Sequence, residues 1–293
     1  MMRKILAALD GSKTSESVLP FLEEFLRNED ADVTLARVAR GDRLTEHQEL
    51  EAYLKGLSDG LKNKGAIVKA KILAGDPAEE LVKYAVEEGF HLILMCTRGK
   101  TGLKLLILGS VATEVLKTSP VPVVIVHPAE KGQAPPKIRR IVVPLDGSHR
   151  SASILPAVAD MAKAMEAKIG FVTVVNPAKK DEMPVEVVAE NIFREQKKLQ
   201  KRGLEVEIAI LYGDPATEAM GFAERNHADL VAIATHGRTG LERLRYGSVA
   251  EQILKKSRIP LMVVRTATTL KPHPLHLGYG LRRRTPALAG KEK

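Results

Sequence analysis

The chain repeats itself once, over the length of a whole domain. "ILAALDGSKTSESVLP", from Ile5 to Pro20, returns as "IVVPLDGSHRSASILP", from Ile141 to Pro156, 136 residues on. "AGDPAEELVKYAVEEGFHLILM" (Ala74 to Met95) returns as "YGDPATEAMGFAERNHADLVAI" (Tyr212 to Ile233), now 138 residues on. The segments "SPVPVVIV" and "SRIPLMVV" keep the larger offset, so two residues are inserted in the middle of the second copy. A period of about 137 residues is far longer than a solenoid unit and has the size of a domain. The expectation is a tandem duplication: residues 1–128 and 138–266 as two domains, 129–137 as a linker rich in Pro and Gly, and 267–293 as a basic tail without regular structure.

Each copy alternates strand and helix. In the first, Lys4–Leu9, Val33–Val38, Ile67–Leu73, His91–Met95 and Val121–Val126 read as strands, with helices between them. Leu44–Lys64 has helical periodicity, and so does the amphipathic stretch Glu182–Gly203, read as core packing. A helix after the first strand has Ser12 or Thr14 as a cap. "GDPAEE" starts another, with Asp76 as cap, Pro77 in the first turn and Glu79 three residues after the cap. Strands alternating with helices give an α/β fold, a parallel sheet covered on both faces.

Composition agrees. Apolar residues make up 44% and aromatic residues 4%, without Trp, so the cores are aliphatic, as parallel sheets require. One cysteine, Cys96, rules out an internal disulfide and suits a reducing, cytoplasmic setting. No apolar run approaches the roughly 20 residues that cross a bilayer, and "MMRKILAALDG" is too short in its apolar part for a secretory signal. The net charge of +9 sits mostly in the tail, where six cations face only Glu292. That weakens a nucleic-acid reading, which is left to the tail alone.

Two loops per copy have the composition of a binding edge. One is "LDGS", at Leu9–Ser12 and Leu145–Ser148; the other runs from Thr97 to Ser110 and from Thr235 to Ser248. In the long loop, Gly99 and Gly237 permit turns and close approach, nine residues intervene, and Gly109 and Gly247 precede a helix. Ser110 and Ser248 then stand at a helix N-terminus, which favours an anion, or serve only as caps. Arg98, Lys100 and Lys104 in the first loop and Arg238, Arg243 and Arg245 in the second make phosphate the natural anion. "RGKT" at Arg98–Thr101 is not a Walker loop, because Leu94 stands where its first glycine belongs. If the first and fourth strands are neighbours, both loops meet over one crevice.

Taken together, Gly-x-x-Gly, nine residues, Gly-Ser after strand four and an Asp after strand one resemble the universal stress protein family, in both copies, over nearly all of residues 1–265. The resemblance implies two half-Rossmann-like domains of the adenine nucleotide α-hydrolase type, each a five-stranded parallel sheet of order 3-2-1-4-5. It implies an adenine nucleotide as ligand: ATP, or AMP or ADP, with Mg2+ accompanying ATP. Asp10 and Asp146 would lie near adenine or ribose, and Val38 and Val174 against the base. Gly99, Gly109, Ser110 and Val111, with Gly237, Gly247, Ser248 and Val249, would hold ribose and phosphates, beside Arg98, His236 and Arg238. Cys96 and Ala234 replace the first glycine of the pattern, and the smaller Ala234 makes the second copy the stronger candidate. The fifth strands would pair to make a pseudo-dimer within the chain, which could dimerise again.

Other residues point elsewhere. Cys96 has no legible base beside it and reads as structural. His273 and His276 have a metal-like spacing without further ligands. No Ser-His-Asp pattern, "HxGH" or "SGGxDS" appears, which argues against hydrolases, nucleotidyl transferases and ATP pyrophosphatases. A nucleotide-dependent stress-response protein with at most slow hydrolysis is the first expectation. A nucleotide-free interaction scaffold of the same fold is the second.

Overall fold

The computed structural model describes residues 4–27, 31–39, 44–62, 67–97, 108–128, 137–176, 184–237 and 248–267. In the first half these form β1 (Lys4–Ala8), α1 (Leu19–Leu26), β2 (Asp32–Ala39), α2 (Leu44–Lys62), β3 (Ile67–Ala74), α3 (Pro77–Glu87), β4 (Leu92–Cys96), α4 (Ser110–Thr118) and β5 (Val123–Val126). The second half holds β6 (Arg140–Pro144), a single turn α5 (His149–Ala152), α6 (Leu155–Met165), β7 (Lys168–Val175), α7 (Val185–Gln200) and β8 (Val206–Tyr212). It ends with α8 (Pro215–Arg225), β9 (Leu230–Gly237), α9 (Ser248–Lys256) and β10 (Leu261–Ala267). The tail, the linker and the centres of both long loops lie outside the described residues.

All ten strands join in one sheet, ordered β3-β2-β1-β4-β5-β10-β9-β6-β7-β8. Pairing within each half is parallel, with Ile5 opposite Leu92 and Ile93 opposite Val123. The halves meet in an antiparallel seam that sets Leu261 against Ile125, Met262 against Val124 and Val263 against Val123. The fifth strands thus pair with each other, as expected of a pseudo-dimer within the chain; Pro122 and Pro260 stand just before them, and their carbonyls accept from Ile93 and Val231. Across the seam His127 Nε2 lies 3.3 Å from the Ile259 carbonyl, and Arg265 donates to the Thr118 carbonyl at 3.1 Å. His127 and Arg265 occupy the same place in the repeat.

Helices cover both faces. Phe21, Phe25, Leu54, Val158 and Ile192, from α1, α2, α6 and α7, share one core that runs through both halves. Leu81, Val115, Ala219 and Ile253, from α3, α4, α8 and α9, share the other. β4 and β5 are buried along nearly their whole length, which explains their unbroken apolar runs.

Local chemistry sets the helix ends. Asp76 accepts from the amides of Ala78 and Glu79, and Asp214 from that of Thr217. Ser12, rather than Thr14, takes up the capping role after β1: its Oγ accepts from Ser15 N at 3.1 Å, and Ser148 does the same for Ser151. The helix read over Glu182–Gly203 begins at Val185, with Pro184 as its N-cap at a non-helical ψ of 139°. It buries Val188, Ile192 and Leu199.

The repeat also contains a built-in comparison. Gly89, which follows α3, has φ +66°, and its counterpart His227, after α8, holds φ +49° with a side chain. Nothing lies within 4 Å of a Cβ built on Gly89, so a substitution there acts through the backbone alone. We expect His227→Gly to raise stability by up to about 1 kcal/mol and Gly89→Ala to lower it by about 1 kcal/mol. Urea unfolding midpoints at unchanged slope check both.

Candidate functional site

The strand order brings the two suspected loops together, because β1 and β4 are neighbours and the order reverses between them. After β1 the chain turns sharply at Asp10-Gly11-Ser12. The Asp10 carboxylate accepts from Ser12 N at 2.9 Å and from Ser12 Oγ at 2.6 Å, while Asp10 N donates to Ser15 Oγ at 3.3 Å. Gly11 has φ +83°, and Gly147 repeats the turn at φ +78°. A side chain at either would also collide: a Cβ on Gly11 would stand 2.5 Å from Arg37 Nη1, and one on Gly147 3.0 Å from Val188 Cα.

A cleft of about 340 Å³ opens at this edge of the first half. Asp10, Val38, Gly109 and Val111, all expected at the site, line it together. Gly109 is the extended residue before α4 (φ −65°, ψ 160°), and its carbonyl accepts from Thr113 N at 2.9 Å. Ser110 is the exposed first residue of the helix and not its cap. Leu81 and Met95 are among its apolar lining residues. Cys96 also lines the cleft; burial pushes its thiol up to about 12, and its Sγ faces the Thr97 carbonyl at 3.3 Å. That environment disfavours a thiolate nucleophile. Arg98 and Gly99 lie outside the described residues.

Sequence reasoning passed over Arg37, which lines the cleft next to Val38. Its guanidinium lies 5.7 Å from the centre of the Tyr53 ring, and Tyr53 Oη donates to Glu16 at 3.3 Å. The available signal was its place at the carboxyl end of a strand, one residue before a predicted base contact.

The second half builds the same aspartate turn. Asp146 accepts from Ser148 N at 2.9 Å, and its own N–H donates to Ser151 Oγ at 3.3 Å. Asn191 of α7 donates to the Gly147 carbonyl at 3.0 Å and braces the turn from outside. Val174, Ala234 and Val249 are half-buried, and Ser248 is exposed at the start of α9. The loop expected from Thr235 begins later than the sequence suggested. The seven-residue β10 gives β9 a partner further along, so His236 and Gly237 pair with Thr266 and Ala267 as strand residues. Arg238 and Gly247 lie outside the described residues.

Burial pushes the Asp146 carboxyl upward, but hydrogen bonds from Ser148 and Ser151 outweigh it and hold the group below its ordinary value. A carboxylate depressed in the folded state contributes stability above its unfolded value of about 4, and loses it as pH falls through the folded value. The stability gap between wild type and Asp146→Asn is therefore expected at pH 7 and should shrink below about pH 4; urea midpoints across that range check it.

Among the described residues no group of three His, Cys, Asp or Glu side chains is placed to hold a metal, and no helix is long and apolar enough to cross a membrane. Comparison with known proteins places the fold and the motifs in one group. The model of the universal stress protein family matches residues 1–127 and again 137–265. A universal stress protein of Methanocaldococcus jannaschii is 32% identical over 139 residues, covering 43% of this chain and 82% of its own. Universal stress protein YxiE of Bacillus subtilis is 31% identical over 148 residues, covering 43% of this chain and all of its own. A crystal structure of a universal stress protein from Archaeoglobus fulgidus superposes with a TM-score of 0.76 at 21% identity, over 91% of this chain and 100% of that one, and so shares the fold. With both halves matched and the two sheets joined as a pair, the chain belongs to the universal stress protein family, as a tandem two-domain member.

Proposed function

We propose that the chain binds an adenine nucleotide, ATP first, at the carboxyl edge of its sheet, and that occupancy governs a stress-response role. The observation that carries this is the first-half cleft, where Asp10, Val38, and the pair Gly109 and Val111 converge from three separate segments. The cleft has the size of a small-molecule site. The apolar residues of its lining, among them Val38, Leu81 and Met95, suit a purine. The start of α4 offers amide N–H groups to phosphate, with a hydroxyl at Ser110. Asp10, fixed by its serine bonds, suits ribose hydroxyls. Mg2+ arrives with ATP on the phosphate oxygens, and hydrolysis is slow at most, since Asp10, the one carboxylate among the described cleft residues, is bonded to Ser12 and assigned to the ribose. AMP and ADP fit the same adenosine contacts with fewer phosphates. The second half repeats the aspartate turn and takes the same ligand class.

Calorimetry with ATP, AMP and cyclic AMP tests the reading. Wild type is expected to bind ATP. Gly109→Val should abolish binding at the first site and Gly247→Val at the second, each variant keeping its fold by circular dichroism. Absence of binding by any of the three nucleotides to wild type favours the scaffold reading. Affinity and stoichiometry unchanged in both variants would overturn the assignment of the loops.

A further inference from the structure

The two halves differ at one position that faces the proposed ligand. β2 ends in Arg37-Val38-Ala39, and Arg37 lines the first cleft. The matching residue of β7 is Thr173, which is buried and whose Oγ1 donates to the Leu145 carbonyl at 3.0 Å. The first site therefore has a fixed cation where the second has a satisfied hydroxyl. Among the described residues the Arg37 guanidinium meets no carboxylate within ion-pair distance; its neighbours are the Tyr53 ring and the Gly11 turn. Tyr53 holds one side of the guanidinium, and burial pushes the phenol up to about 12, with Glu16 adding to the rise, so the ring stays neutral. An arginine half-buried, braced by an aromatic ring and without a carboxylate partner among the described residues is prepared to receive an anion from the cleft.

The location says which anion. Arg37 lies at the aspartate turn, and Gly109 and the start of α4 form a different wall of the cleft. In doubly wound folds, a hydroxyl-bearing ribose at the end of the second strand is read by a carboxylate, and an arginine nearby accommodates a phosphate on that ribose. Building on the nucleotide reading above, we propose that the first-half site takes an adenosine nucleotide with a second phosphate on its ribose. Arg37 holds that phosphate, and Thr173 at the matching position of the second half brings no charge to it.

Calorimetry on the full chain, with AMP, adenosine 3′,5′-bisphosphate and adenosine 2′,5′-bisphosphate as titrants, tests it. Wild type should bind one of the bisphosphates about tenfold or more tightly than AMP, at one site per chain. Arg37→Thr, which places the second half's residue in the first, should bring the bisphosphate-to-AMP affinity ratio down to near one. Circular dichroism checks that the variant is folded. A bisphosphate-to-AMP ratio near one in wild type, the same ratio in both proteins, or two equal bisphosphate sites per chain would each overturn the inference and leave the nucleotide reading standing. Failure of wild type to bind AMP and both bisphosphates would overturn the inference, and failure to bind ATP as well would overturn the nucleotide reading with it.

Discussion

Three residue pairs at the centre of the sheet hold the two halves as one body. Val123–Val126 and Leu261–Val264 are apolar on both faces, and each would be the exposed edge of a five-stranded sheet if its half stood alone. An exposed edge of that composition is a template for unwanted pairing. Set against each other, the two strands satisfy one another's backbone and complete the cores above and below. Met262 and Val124 are fully buried there. Burial of side chains of this size stabilises by roughly 1.5–3 kcal/mol each. The contacts of His127 and Arg265 with the opposite half fasten both ends of the seam. One core also passes from α1 to α6 without interruption.

Duplication leaves two copies under the same fold but free to diverge. The turn after β1 has stayed almost unchanged, with the same aspartate, glycine and serine bonded in the same way. Its surroundings have not. A guanidinium lies over the first turn, and a helix braces the second through Val188 and Asn191. Cys96 faces the first cleft where Ala234 stands in the second half. The frame is held constant by backbone geometry that only glycine tolerates, while the side chains that meet a ligand differ.

Much of this was legible in advance. The repeat gave the number of domains, and its alternating apolar runs gave the elements, because strands buried on both faces leave unbroken stretches of Val, Ile and Leu. Asp76 and Asp214 announced their helices through capping chemistry. Asp10, Val38, Gly109 and Val111 were named before their meeting could be seen. What escaped was of another kind. The continuation of β9 through Gly237 depends on how far β10 extends, which is a property of a distant segment. The start of α7 is set by the backbone of Pro184, whose ψ of 139° is not helical. Arg37 was invisible because an arginine inside a strand reads as an exposed residue until the topology puts the strand's end at a cleft.

The antiparallel seam has a directional consequence. Strands within each half run the same way, so reversal at the seam points the carboxyl ends of β1 and β4 opposite to those of β6 and β9. The aspartate turns therefore open at opposed poles of the molecule. The two turns share no boundary, and the shortest path between them within the sheet crosses β4, β5, β10 and β9.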